Sequence, residues 1–247
     1  MVTEYINNIP VDKLTITEII NELPKLLSQT KKWLFMSVNP QIALHAHKYP
    51  SIIELLEKAS HRIPDGVGIV KASKKLGGNI TERVAGIDLM IAFLQYANTH
   101  SLSIYLYGSR PDVLRNTILA IKRDYPNIKV LGATDGYTDK STDEIVSEIN
   151  RLKPTFLFVA LGFPLQELWI AETYERLDVQ VIQDVGGSFD VISGSVKRAP
   201  EWVIRLNIEW LYRSLSHPSR LKRIVELPIF LREAKKASKK SEKKGVN

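Results

Sequence analysis

Two consecutive glycines after an apolar run provide the first candidate residues for chemistry. Residues 179–185 are mostly apolar and predict a buried strand, and Gly186 and Gly187 permit a tight turn or a close approach of the backbone to a ligand. In open parallel sheets, ligands lie beyond the carboxyl ends of the strands, where helix N-termini present N–H groups to anions. The stretch therefore indicates a phosphate-bearing ligand near Asp190. The alternative is a simple tight turn with Asp190 as a helix cap.

Two other predicted strands also end in polar residues. Ser37 and Asn39 lie at the end of the apolar run 33–38, where polar side chains either cap the next helix or face a ligand. Asp65 stands between a proline and a glycine after a short strand. It is a candidate general base, and the alternative is that it caps the helix that follows.

The segment around Asp65 also resembles the beginning of a dinucleotide-binding turn. Gly66 and Gly68 have the spacing of the first two glycines of that motif, but Lys71 stands at the position of the third. Because the third glycine is missing and the preceding strand is short, the dinucleotide interpretation is disfavoured.

Four further turns supply candidate substrate-binding residues. Arg83 is either a phosphate clamp or a surface ion pair. Gly108 opens a helix after a strand, Tyr137 lies in a loop, and Gln166 falls with Glu167 in the first turn of a helix after the most strand-like run of the chain. Except for the segment of Arg83, these turns follow predicted strands, and together they gather polar residues at one functional edge.

The alternation of strands and helices predicts the fold class. Strands separated by helices at this rhythm favour an α/β fold, with a Rossmann-like parallel sheet flanked by helices and right-handed crossovers. The main strands are predicted at residues 33–38, 103–107, 128–131, 155–161 and 179–185.

Length and composition limit the possible classes of protein. The chain has 247 residues, of which 44% are hydrophobic, enough to bury one large core with an appendage. It contains no cysteine, which excludes disulfides, a thiolate nucleophile and a Cys-type zinc site and fits a reducing cytosol. No apolar run reaches the ~20 residues of a membrane span, so neither a signal peptide nor a transmembrane helix is expected.

The charge distribution divides the chain into three predicted parts. Residues 1–196, the predicted catalytic domain, carry 20 basic and 22 acidic side chains, whereas residues 197–247 carry 14 and 5. Residues 197–234 are predicted to form a helical appendage, and the lysine-rich residues 235–247 a disordered tail. The basic excess indicates a polyanionic partner, which charge alone leaves open as nucleic acid, an anionic bilayer or a diphosphate substrate.

Seven short motifs follow one another between about residue 5 and residue 232: Ser37-x-Asn39, Pro64-Asp65-Gly66, Glu82-Arg83-Val84-x-Gly86-x-Asp88, Gly162-x-Pro164-x-Gln166-Glu167, Gly186-Gly187-Ser188-Phe189-Asp190-Val191, Lys197-Arg198-Ala199-Pro200 and Glu209-Trp210-Leu211-Tyr212-Arg213. Together they resemble the TagA/WecG/CpsF glycosyltransferases.

The resemblance implies an enzyme bound peripherally to the cytoplasmic face of the cell membrane, with residues 197–234 as the appendage that associates with the membrane. Such an enzyme moves an N-acetylmannosamine-type sugar from a UDP donor to undecaprenyl-diphosphate-linked N-acetylglucosamine, with inversion and without a metal or another cofactor. The chain has no Asp-x-Asp motif, so protein cations are expected to hold the diphosphates. The candidates are Arg83, Arg213, Arg220 and Arg223. The expected general base is Asp65, and Ser37, Asn39 and Gln166 are expected to position sugar and acceptor.

Three departures from the family pattern leave the donor open. Position 37 is Ser instead of the Thr usual in the TagA branch, residues 134–137 read Thr-Asp-Gly-Tyr instead of His-His-Gly-Tyr, and Leu165 replaces a Lys. The pathway stays open between the teichoic acid linkage unit, enterobacterial common antigen, and a capsule or exopolysaccharide, whose branches use related but different sugars. The donor sugar is N-acetylmannosamine, N-acetylmannosaminuronic acid, glucose or galactose.

A nucleic-acid binder and a nucleotide-binding regulator are the two alternatives to an enzyme. A nucleic-acid binder would need an aromatic-interleaved basic sheet or a recognition helix beside the basic tail, and neither is found in the sequence. A nucleotide-binding regulator would keep the glycine turns and dispense with Asp65. Assembly into homo-oligomers also stays open.

Overall fold

The computed structural model describes residues 2–200, 202–203 and 222–244, and in the last of these segments the side chains of residues 225–238. Of the predicted phosphate-binding arginines, Arg213 and Arg220 lie outside the described residues. Arg223 is described only as backbone within a helix.

A β-hairpin precedes the main fold. Strands β1 (Val2–Ile6) and β2 (Ile9–Lys13) pair antiparallel, and Asn7 and Asn8 turn between them with φ of 54° and 60°. Asparagine tolerates this left-handed conformation, which suits a two-residue hairpin turn. The sequence analysis did not anticipate this hairpin.

The predicted parallel sheet is confirmed. Six strands lie in the order β4-β3-β8-β7-β5-β6, and every neighbouring pair is parallel. Their bounds are β3 Trp33–Val38, β4 His61–Pro64, β5 Ser103–Gly108, β6 Lys129–Thr134, β7 Phe156–Ala160 and β8 Val181–Asp184. Because all six strands run the same way, their carboxyl ends meet at one edge.

Helices cover both faces of this sheet. Successive residues of a strand point to opposite faces, so Leu34 and Met36 enter one apolar cluster and Phe35 enters the other. The helices are α1 Ile16–Leu27, α2 Pro40–His45, α3 Pro50–Lys58, α4 Val67–Lys75, α5 Gly86–Thr99, α6 Pro111–Asp124, α7 Thr142–Leu152, α8 Leu165–Thr173, α9 Ser188–Ile192 and α10 Lys222–Lys244.

Strand β6 is longer than predicted. It continues to Thr134, three residues beyond the end predicted at residue 131. Thr134 is buried, and its hydroxyl lies 2.6 Å from the hydroxyl of Tyr105 on the neighbouring strand. This partner is remote in sequence, which explains why the local pattern ended the strand too early.

Helix α10 covers the end of the predicted helical appendage and most of the predicted tail. It runs through Pro228 and through ten residues of the predicted tail, to Lys244. Phe230 and Ala234 are buried in the same apolar cluster as α2 and α3, and α10 packs against α2 and α4. Spacing by three and four residues gives the helix one apolar face, which the body of the protein covers. Within the described residues, none of the helices is long and apolar enough to cross a bilayer.

Candidate active site

A cleft of about 630 Å³ opens at the carboxyl edge of the sheet. Residues that follow each of the six strands line it, as the strand topology requires. It brings together nine of the predicted site residues: Ser37, Asn39, Asp65, Arg83, Tyr137, Gln166, Gly186, Gly187 and Asp190.

Asp65 lies at the first residue after β4, half-buried and facing the cleft. Its backbone N–H donates to the Val38 carbonyl at 2.9 Å, which holds it beside the end of β3. The N-cap residue of α4 is Gly66, whose φ of 96° suits glycine. Asp65 therefore stands one residue before the N-cap of this helix, and its role as a base stays a prediction.

Ser37 and Asn39 lie on either side of Val38, the last residue of β3, where the chain turns into α2. Ser37 is 6% exposed, and its backbone N–H donates to Asp184 Oδ1 at 2.7 Å. Asn39 caps α2, because its Oδ1 accepts from the Ile42 N–H at 3.0 Å. The capping interpretation is thus correct for the amide oxygen of Asn39. The amide nitrogen takes no part in the cap and is the group that can donate to a ligand.

Positive charge enters the cleft at Arg83 and at the N-terminus of α5, whose first residues Gly86 and Ile87 also line it. Nη2 of Arg83 lies 3.9 Å from Asp88 Oδ2, and the guanidinium of Arg198 hydrogen-bonds to the other oxygen of Asp88. A guanidinium beside a helix N-terminus forms an environment that favours an anion such as a diphosphate.

The glycine turn after β8 has the conformation that the sequence suggested. Gly186 has a φ of +49°, in the left-handed region, and its N–H donates to Gln166 Oε1 at 3.1 Å. Gly187 is the N-cap residue of α9, so Asp190 lies within the helix instead of capping it and faces the cleft.

Gly108 has a packing role in the structure. It is buried at the end of β5, and a Cβ atom there would lie 2.4 Å from the carbonyl oxygen of Ala160 on β7. The cleft lining begins at the next residue, Ser109, whereas Tyr137 stands at the mouth of the cleft with 73% exposure. The contribution of Gly108 to substrate binding stays a prediction.

Gly68 of the incomplete dinucleotide motif is also explained by packing. A Cβ atom on Gly68 would lie 2.5 Å from the Pro40 side chain and 2.7 Å from that of Leu227, so glycine is what lets α4 meet α2 and α10.

Two buried acids in the cleft are not among the site residues predicted from the sequence. Glu167 and Asp184 are both 0% exposed and line its floor. Burial raises the pKa of Glu167 to about 7, and burial together with the charge of Glu167 raises the pKa of Asp184 well above its ordinary value. In the sequence, only their positions could have pointed to these two acids: Glu167 follows Gln166 in one of the seven motifs, and Asp184 ends a strand.

Helix α10 supplies the last part of the cleft lining, through Glu226 and Leu227. Glu226 lies 3.2 Å from His45 Nε2 on α2. Within the described part of the chain, no group of three or more His, Asp or Glu side chains is arranged to hold a metal ion.

Comparison with known proteins gives a consistent result. The model of the "Glycosyl transferase WecG/TagA/CpsF family" matches residues 4–244. A protein of Bacillus subtilis (strain 168), named N-acetylglucosaminyldiphosphoundecaprenol N-acetyl-beta-D-mannosaminyltransferase, is 39% identical over 92% of this chain and 89% of its own length. Proteins with the same name from Bacillus spizizenii and Staphylococcus aureus (strain MW2) are 35% and 33% identical, over 98% and 94% of this chain and 95% and 92% of their own lengths. The chain therefore belongs to the WecG/TagA/CpsF family of glycosyl transferases.

Proposed function

We propose that this protein is an inverting glycosyltransferase that moves N-acetylmannosamine from a UDP donor to polyprenyl-diphosphate-linked N-acetylglucosamine. The observation that carries the proposal is the juxtaposition of Asp65 with Arg83 and the N-terminus of α5 in one cleft. This reaction needs a carboxylate that accepts the proton of the acceptor hydroxyl and a positively charged region that binds the diphosphate. The names of the relatives from Bacillus and Staphylococcus indicate the sugar and the acceptor.

The proposed reaction is a direct displacement. The acceptor hydroxyl oxygen attacks the anomeric carbon of the donor sugar while the bond between that carbon and the UDP oxygen breaks. Asp65 takes the hydroxyl proton, and the UDP leaves with the bonding electron pair. Arg83 and the N-terminus of α5 stabilise the charge that develops on the diphosphate, which is the role a metal ion plays in other transferases.

Ser37 and Asn39 complete the proposed site as positioning groups for sugar and acceptor. Ser37 lies on β3 and Asn39 directly follows that strand, next to Asp65, since β3 and β4 pair with Val38 opposite Pro64. Leu165 lies at the cleft with 62% exposure, in the place where the family pattern has a lysine. N-acetylmannosaminuronic acid, glucose and galactose are the alternative donor sugars, and a transfer assay with a panel of UDP-sugars distinguishes them.

Replacement of Asp65 by asparagine tests the base. Asp65→Asn removes the proton acceptor but preserves the shape, so turnover is expected to fall by about 10²–10⁴-fold. Binding of UDP, measured by calorimetry, is expected to stay within a few fold of the parent. The matched control is Asp139→Asn, at an exposed position outside the cleft lining.

A regulator without catalysis would give a different result in this experiment. It would bind UDP and transfer no sugar in the parent protein, and Asp65→Asn would change nothing. Weak UDP binding with normal turnover of bound substrate would instead make Asp65 a structural residue.

We also propose that residues after Ala234 bring the enzyme to the inner face of the membrane. Lys235 and Lys236 are exposed on α10 immediately beyond the buried Ala234, and four further lysines follow. Each lysine near an anionic leaflet contributes about 1 kcal/mol to attachment. The polyprenyl acceptor has its diphosphate at the membrane surface, so attachment there gives access to the substrate.

A deletion that begins at residue 235 tests this attachment while keeping Phe230 and Ala234 in place. It is expected to weaken binding to vesicles that contain anionic lipid and to leave transfer to a soluble acceptor unchanged. Vesicles of neutral lipid serve as the control. Undiminished binding of the truncated protein to anionic vesicles would contradict the proposal.

A further inference from the structure

The side chain of Gln166 joins two turns of the cleft floor to two buried carboxylates. It is 5% exposed, and its Oε1 accepts from the N–H groups of Gly162 at 3.3 Å and Gly186 at 3.1 Å. Its Nε2 donates to Glu167 Oε1 at 2.8 Å and to Asp184 Oδ2 at 3.4 Å. Only this orientation of the amide matches donors to acceptors, since the reverse would place oxygen against carboxylate and nitrogen against N–H.

The same network extends to the residues assigned to the reaction. Asp184 Oδ1 accepts from the backbone N–H of Ser37 at 2.7 Å, so one carboxylate holds the end of β3 while its other oxygen holds Gln166. The turns after β7 and β8 and the end of β3 are thereby fixed to one another. A change at Asp184 or Glu167 would move all three.

The charge of the network favours a shared proton. Glu167 and Asp184 both reach the one amide nitrogen, and Glu167 Oε2 has no hydrogen-bond partner among the described residues. The charged groups that act on Asp184 are Glu167 from α8 and Asp65 from the turn after β4, and both are acidic. Two buried carboxylates in this position ionise in two separated steps.

We propose that Glu167 and Asp184, here called the acid pair, hold one proton between them at neutral pH and act as positioning residues for the transfer reaction. With one proton the pair orients Gln166, the glycine turn at Gly186 and the backbone of Ser37. Loss of that proton places a second negative charge under a cleft that must accept a diphosphate, and it disorders the same turns. The effect on transfer rests on the proposed function, whereas the shared proton does not.

The pH dependence of stability tests the shared proton without any substrate. The pKa of Glu167 in the folded protein is raised to about 7 by burial, so the folded protein keeps a proton that the unfolded chain has lost. Stability therefore declines as the pH rises from the ordinary glutamate pKa through the folded value. In Glu167→Gln this decline is smaller, because only Asp184, whose pKa is raised first of all by burial, still keeps such a proton.

The measurement is the melting temperature between pH 5 and pH 8 for the parent, Glu167→Gln and Glu172→Gln. Glu172 is an exposed glutamate on the same helix and serves as the matched control. The melting temperatures of the parent and the control are expected to fall with pH by several degrees more than that of Glu167→Gln. Equal slopes in all three proteins would overturn the proposal.

The pH profile of transfer tests the positioning role. The parent is expected to lose kcat/KM above pH 7, and in Glu167→Gln this alkaline limb moves upward by about one pH unit or more. Asp184→Asn can keep the bond from the Ser37 N–H, but its amide then places a donor against Gln166 Nε2. The kcat/KM of Asp184→Asn is expected to be about tenfold or more below that of the parent at every pH. A loss of this size corresponds to the free energy of one hydrogen bond.

The two measurements separate failure of the acid pair from failure of the proposed function. An alkaline limb that stays in place in Glu167→Gln would refute the positioning role. If the parent transferred no sugar from any UDP-sugar, the proposed function would fail, and the melting comparison would still decide whether the pair shares a proton.

Discussion

Replacement of Phe230 by alanine tests whether α10 is an integral part of the fold. Phe230 is 0% exposed and belongs to the apolar cluster that also contains residues of α2, α3 and α8. Truncation of a buried phenylalanine to alanine costs about 3–5 kcal/mol, from lost transfer free energy and from the cavity left behind. Alanine favours helix more than phenylalanine does, so a loss of helix propensity cannot cause the destabilisation.

The matched control is the adjacent residue of the same helix. Ile229 is 39% exposed, so Ile229→Ala removes a side chain of similar chemistry that is only partly packed. Urea unfolding followed by circular dichroism is expected to show a single transition for both variants. The free energy of unfolding should be lower by about 3 kcal/mol or more for Phe230→Ala and by about 1 kcal/mol or less for Ile229→Ala.

Two results would refute this reasoning. Equal stability of the two variants would show that Phe230 is not packed in the core, and an early transition of α10 alone would show that the helix unfolds independently. The same variants also connect α10 to the site, since Glu226 and Leu227 line the cleft one turn earlier. A helix released by Phe230→Ala should also reduce transfer, and Ile229→Ala should leave it unchanged.

Two further predictions concern the cleft. Asn39→Ala should lower the free energy of unfolding by about 1 kcal/mol through loss of the α2 cap, and it should also lower the rate of transfer. Asn39→Ser keeps the cap and therefore separates the two effects. Unchanged transfer in both variants would leave capping as the role of Asn39. Addition of EDTA to the transfer assay should leave the rate unchanged, and added Mg²⁺ should not raise it. The reason is that Arg83 and the N-terminus of α5 are proposed to hold the diphosphate. A rate that depends on Mg²⁺ would contradict this prediction.

Local sequence patterns were sufficient to predict the fold class and the edge of the sheet at which the candidate site lies. Apolar runs and helical spacing are local patterns, so strands such as β3 and β7 and helices such as α6 could be assigned from their own residues. A parallel sheet then requires the carboxyl ends to share one edge. For this reason Asp65, Ser37 and Gly186 could be expected together without knowledge of the strand order.

Tertiary structure alone decided which of these residues interact with one another and which have packing roles. Gly108 proved to be required by the backbone of Ala160 on a neighbouring strand, and the apolar face of α10 up to Ala234 proved to pack against the body of the protein. Asp184 accepts a hydrogen bond from the backbone N–H of Ser37, which lies 147 residues away in the chain. Local patterns carry no information on such contacts, because burial and hydrogen-bond partners are fixed only when distant segments pack together.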